Sequence, residues 1–182
     1  MVPLYKLDNM NDYDKLISTI QSRDHACLRS LVRTIDWNDP TLDEILPLHY
    51  AAQVADSEVL RILLSTRCSR FINTFDDISY TPMMYAAMRG AAEMVALLIE
   101  SRADINACDV THIGNTVLRE VIEEAIPSLV AQLLAAGADP TIKGWMQLSA
   151  VDKAIERYES QGSSEAAEIL HLVKANTGKP IG

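Results

Sequence analysis

The sequence is poor in the residues that anchor most catalytic and extracellular architectures. It holds three cysteines in 182 residues, Cys27, Cys68 and Cys108. Their number is odd and no CxxC pair occurs, so neither a disulfide framework nor a zinc knuckle is suggested, and a reduced setting fits. Buried, inert thiols are expected, because no His or Lys is placed by the sequence to activate them. Aromatic residues make up 5%, too few for a strand-rich sandwich, whereas Ala, Leu and Ile recur throughout and favour packed helices. Gly and Pro number seven each, which excludes a mainly disordered chain. No apolar run reaches the roughly 20 residues that a membrane span needs. The segment Met1-Val-Pro-Leu-Tyr-Lys-Leu-Asp8 lacks the apolar stretch of a secretion signal. The expectation is a cytoplasmic protein without a membrane partner.

Positive charge is also scarce, with 16 Lys and Arg against 25 Asp and Glu and a formal net charge of −9. No basic cluster offsets this locally, so nucleic acid is excluded as a partner, since neutralising phosphates requires a basic face. The acidic field suits a protein with a basic surface. Phosphate-binding, zinc-protease, serine-nucleophile and calcium-loop patterns are all absent from the sequence. The chain is therefore expected to be no enzyme and to hold no cofactor or metal. The pairs Asp76-Asp77 and Glu123-Glu124 do not change this. Adjacent residues on a helix diverge by about 100°, so a solvated or partner-facing role is expected of them.

What the sequence does contain is a repeat. Leu46-Pro-Leu-His-Tyr-Ala-Ala52 recurs as Thr81-Pro-Met-Met-Tyr-Ala-Ala87 and, degraded, as Thr116-Val-Leu-Arg-Glu-Val-Ile122. Each copy precedes a second apolar helix, at Ser57–Leu64, Ala92–Ile99 and Ser128–Leu134. A turn follows, as in Ala103-Asp-Ile-Asn106 and Gly137-Ala-Asp-Pro140. Thr81 is a good N-cap and Pro82 suits the first helical position, where its missing N–H has no partner to lose. Ala86 and Ala87 let a neighbouring helix approach closely. Met94, Val95, Leu97, Leu98 and Ile99 give the second helix an apolar stripe wide enough to face two neighbours. One unit cannot bury that surface, so the copies must stack.

This pattern resembles the ankyrin repeat, with its T-P-L-H-x-A signature and period near 33 residues. The fold implied is all-α: an ankyrin-repeat solenoid of stacked helix-turn-helix units with projecting loops. The whole chain, 1–182, reads as one domain. It comprises an N-terminal capping repeat at 11–38, internal repeats at 39–73, 74–106 and 107–141, and a C-terminal capping repeat at 142–176. On the last of these, Lys153, Glu156, Arg157, Glu165 and Glu168 are expected to face out. The departures from the pattern are Leu46 in place of the capping Thr, the loop Leu42-Asp-Glu-Ile45 without its usual Gly, and Arg119, Val121 and Ile122 where the pattern has His, Ala and Ala. These bulky residues are expected to widen helix spacing. Extra residues near Arg67–Arg70 and Asp109-Val110 lengthen two turns.

The resemblance implies a structural hydrogen bond from His49 to the adjacent loop and a binding surface made of loop tips and first-helix faces. Carried over by position, that surface comprises Asp43 and Ile45, then Asp77, Ile78 and Tyr80, then His112, Ile113 and Asn115. The helices add Gln53, Val54, Met88, Arg89, Glu123 and Glu124. Trp145, expected at a loop tip, completes it as an anchor, and Tyr80, Met88 and Trp145 are expected to be largely exposed. Met83 and Met94 are assigned to the core and Trp37 to the first inter-repeat packing; His25 and His171 are read as surface or packing residues. The implied function is a protein-protein interaction module, monomeric when free. The alternatives are a stoichiometric inhibitor or antitoxin-like immunity protein that blocks a basic partner, and a rigid structural spacer.

Overall fold

Ten α-helices and two short 3-10 turns build the described residues, 11–39, 46–109, 111–112 and 114–178 of a computed structural model, with no strand among them. The helices come in pairs: α1 (Asp12–Ser22) with α2 (His25–Leu31), α3 (Pro47–Val54) with α4 (Ser57–Leu64), α5 (Pro82–Met88) with α6 (Ala92–Glu100), α7 (Val117–Val121) with α8 (Pro127–Ala135), and α9 (Ala150–Gln161) with α10 (Ser164–Ala175). First helices pack in series, α1 on α3, α3 on α5, α5 on α7 and α7 on α9, while second helices form a layer behind them. The stacked, all-helical arrangement expected from the repeat is what the chain adopts.

Local chemistry sets each start. The Thr81 hydroxyl accepts the Met84 N–H at 3.3 Å with Pro82 at the first helical position, and Thr116 does the same for Arg119. Ser149 and Asp152 form a reciprocal capping box on α9. Leu46 has no oxygen to offer, and α3 begins without a side-chain cap from a left-handed residue at φ 51°. The residues Arg67–Phe71, foreseen as an insertion, wind into a 3-10 turn capped by Thr66.

The interior is apolar and continuous. Leu48, Leu60, Leu63, Met84, Val95, Leu98, Leu118 and Leu133 are fully buried, and Met83 and Met94 join them as expected. Trp37 is buried too, its indole N–H donating to the Val32 carbonyl at 3.0 Å. Cys68 is buried, but Cys27 and Cys108 are only half-buried, so the expectation of buried thiols holds for one of the three. Val121 and Ile122 are buried where the pattern has alanines, and α7 is a short five residues.

Arg157 corrects the reading of the C-terminal repeat. It does not face out. It is 8% exposed, and its Nη1 donates to the carbonyls of Ile122 at 2.9 Å and Ala125 at 2.8 Å. Those carbonyls lie where α7 breaks off and would otherwise lack partners, so the guanidinium of α9 satisfies them from the next unit.

Side chains also reach backbone between successive turns. Asn73 Oδ1 accepts the Asp104 N–H at 2.8 Å, and Asn106 Oδ1 accepts the Asp139 N–H at 2.8 Å while its Nδ2 donates to the Gly137 carbonyl. His49 Nε2 donates to the Tyr80 carbonyl at 2.9 Å, the loop tie that the resemblance implied. Burial holds the His49 ring below its ordinary pKa, against the opposing pull of nearby carbonyls and the Asp76 charge.

Two predictions follow from this packing. Leu98→Ala and Leu133→Ala should each cost about 2–5 kcal/mol of folding stability, and Arg157→Ala about 1–3 kcal/mol through its orphaned carbonyls, all read from denaturant unfolding midpoints. His49 should also make stability pH-dependent. The unfolded chain takes up a proton near pH 6.5 that the buried ring resists. Stability should therefore fall as pH drops below 6.5 and level off below the depressed folded value. In His49→Gln, which keeps a donor but does not titrate, that portion of the slope should vanish in unfolding curves taken across the range.

Candidate functional site

The loops and the exposed sides of the first helices share one repetitive construction. Position five of the seven-residue pattern is Tyr50 on α3, Tyr85 on α5 and Glu120 on α7, and the position three residues further is Gln53, Met88 and Glu123. These columns line two hollows. One, of about 330 Å³, lies among Leu46, His49, Tyr50, Gln53, Asp76, Asp77, Ile78 and Tyr85. The other, of about 460 Å³, is walled by Met88, Arg89, Glu120, Glu123, Glu124 and Ile126 among others.

At the first hollow Asp76 is spent on structure. Its Oδ1 accepts the N–H groups of Ile78 at 3.1 Å and Tyr80 at 2.9 Å, and its Oδ2 accepts the Tyr85 hydroxyl at 2.7 Å. Burial and that acidic acceptor push the Tyr85 hydroxyl up to about 12. Asp77 and Ile78 project at the tip, Ile78 being 53% exposed. The ring of Tyr85 stands edge-on between His49 and Tyr80, with centroids 6.0 and 5.6 Å away.

The next loop is tied to this one. Ser79, held at φ 64°, donates its hydroxyl to Asp109 Oδ2 at 2.8 Å. Hydrogen bonds from the Thr111 and Ser79 hydroxyls and from His112 hold the Asp109 carboxyl well below the usual carboxylate range. His112 is exposed, as expected of a projecting loop, with its Nδ1 2.8 Å from Asp109.

Two expected surface residues prove to be internal supports. Tyr80 is half-buried, and its hydroxyl donates to Glu120 Oε1; burial and that carboxylate raise its pKa. Asn115 is 7% exposed: its Nδ2 donates to Glu120 Oε2 at 2.7 Å and its Oδ1 accepts the Trp145 N–H at 3.0 Å. Arg119, in the place His49 occupies two units earlier, reaches the Trp145 carbonyl at 3.3 Å. Gly144 passes so close that an added Cβ would stand 2.5 Å from Asn115 Oδ1 and 2.6 Å from the Gly114 carbonyl. The tight turn that follows puts Met146 and Gln147 at φ near 60°. It leaves Trp145 58% and Met146 67% exposed.

Of the remaining expected residues, Met88, Arg89, Glu123 and Glu124 are exposed, while Gln53 and Val54 are half-buried. Glu123 engages Lys153 of α9 at 2.5 Å. Asp43, Ile45 and Ile113 lie outside the described residues. The sequence pattern passed over Tyr50, Tyr85 and Glu120, although their shared repeat position was a usable signal. It also passed over Met146 and Ile126, the latter 55% exposed, for which the break after α7 leaves no periodic signal. Among the described residues no cluster of three or more metal-ligating groups occurs, and no helix is long and apolar enough to cross a membrane.

The comparisons with known proteins agree with the fold. A family model described as ankyrin repeats in three copies matches residues 16–109 and, overlapping them, 70–144, more than half of the chain. The ankyrin repeat and SAM domain-containing protein 6 of Rattus norvegicus is 35% identical over 81 residues, covering 44% of this chain. The chain spans only about 9% of that relative's length. With its helix pairs, loop ties and repeat signature matched in this way, the chain belongs to the ankyrin-repeat family, whose repeats are in general protein-protein interaction modules.

Proposed function

We propose that the chain binds a partner protein along the face formed by its loop tips and first helices, from the Asp77-Ile78 tip to the Trp145-Met146 tip. The observation that carries this reading is the pairing of exposed apolar side chains with an acidic rim. Met88 and Ile126, each more than half exposed, flank a hollow that also presents Glu120, Glu123 and Glu124, with Arg89 as the cation in its wall. An apolar centre with a charged rim is the usual anatomy of a protein interface. The net charge of −9 favours a basic partner surface over nucleic acid or an anionic membrane. The free chain is read as a monomer that works by occupancy and not by catalysis.

Affinity capture from the native source, followed by affinity and melting measurements on variants, tests this. Met88→Ala and Trp145→Ala should keep the wild-type melting temperature while each weakens binding by about 2 kcal/mol or more. Full affinity in both folded variants would move the interface to another face. Tyr80→Ala should behave differently from these two, losing stability as well, because its hydroxyl holds Glu120. Salt gives a second readout. Association should slow as ionic strength rises toward the regime in which charges are screened beyond about 8 Å. A salt-independent association rate would demote the acidity to a solubility role.

A further inference from the structure

The smaller hollow has the makings of a site for one particular side chain. Tyr50, Tyr85, Gln53 and the tip residues Asp77 and Ile78 line it, together with His49. Asp76 is already committed to Ile78, Tyr80 and Tyr85. Asp77 forms no ion pair with a described residue, and the hollow has no Lys or Arg in its lining. A second observation is independent of these acids: His49 is 2% exposed, and its Nδ1 is a buried polar atom without a hydrogen-bond partner. Because Nε2 donates to the Tyr80 carbonyl, the Nδ1 of the neutral ring is an acceptor. Leu46, at the start of α3, has no hydroxyl to offer.

The hollow thus gathers two tyrosines, a glutamine and a carboxylate that forms no ion pair with a described residue, while His49 at its edge is buried. Together these match a planar cation with several donors. A guanidinium stacks on tyrosine and bonds a carboxylate in its own plane, whereas an ammonium is a compact, strongly hydrated charge that gains less from such walls. We propose that this hollow receives the guanidinium of an arginine on a basic segment of the partner, a proposal that rests on the reading of the chain as an interaction module. Asp77 supplies the charge, Tyr50 and Tyr85 the flat walls, and Ile78 the apolar contact for the arginine stem.

The test is a titration of the isotope-labelled full chain with N-acetyl-arginine amide and, in parallel, N-acetyl-lysine amide, followed by NMR. The expected result is saturable shifts confined to Tyr50, Gln53, Asp77, Ile78 and Tyr85. The lysine amide should bind more weakly, and Asp77→Asn should lower the arginine affinity about tenfold with the remaining spectrum unchanged. Tyr50→Leu should weaken it independently of charge. Shifts that never saturate, an equal response to the lysine amide, or an unaltered Asp77→Asn variant would each overturn the arginine site. The broader reading fails separately. A partner whose affinity falls with Met88→Ala but not with Asp77→Asn leaves the interaction module standing and removes only the arginine.

Discussion

Every other feature of this protein depends on the fact that one helix pair cannot cover its own apolar surface. The second helices carry stripes too wide for a single neighbour, so each is buried only between units, and the fully buried Leu60, Leu98 and Leu133 belong to successive copies of the same helix. Stacking fixes the units in register. Register in turn brings each loop beside the next, close enough for Ser79 to bond Asp109 and for Asn73 and Asn106 to bond the backbone about one repeat ahead. The loops owe their order to this lateral bonding, since none of them has a core of its own.

The same constraint separates what the sequence made legible from what it did not. Thr81-Pro82, Ala86-Ala87 and the apolar stripes could be read directly, because capping and close packing are local and repeat with the period. His49 was legible only through its motif. Arg157, Asn115 and Tyr80 were misread as outward-facing for a common reason: each is a polar side chain with a partner in another unit, 30 to 40 residues away along the chain. Periodicity reports which face of a helix a residue occupies, but not whether a carbonyl on the neighbouring unit awaits it.

Arg157 illustrates how a sequence departure and its compensation arise together. Replacing the small pair with Val121 and Ile122 coincides with a first helix cut to five residues, which leaves the carbonyls of Ile122 and Ala125 at and beyond its end. A buried guanidinium from α9 then accepts the task of pairing them, with Gln161 oriented on its Nε at 3.1 Å. A buried cation is costly unless its donors are used. Three bonds to neutral acceptors, one of them the Ile122 carbonyl at the C-terminal end of α7 where positive charge is favoured, offset that cost.

The exposed Trp145-Met146 tip shows the reverse economy. Left-handed backbone at Met146 and Gln147 is held at an energetic cost of order 1–3 kcal/mol for each such non-glycine residue, and the exposed side chains bring no burial to offset it. The conformation persists because Asn115, Arg119 and the tight passage of Gly144 leave the turn little else to do. Asn115 is in turn fixed by Glu120, and Glu120 by Tyr80 from the preceding loop. A chain of polar contacts therefore runs from the second projecting loop to the tip beyond α8, so the apolar tip and the acids of the central hollow are presented in one fixed geometry. In the proposed binding role, such rigid presentation would reduce the entropy cost of ordering these side chains, one of the costs that set affinity.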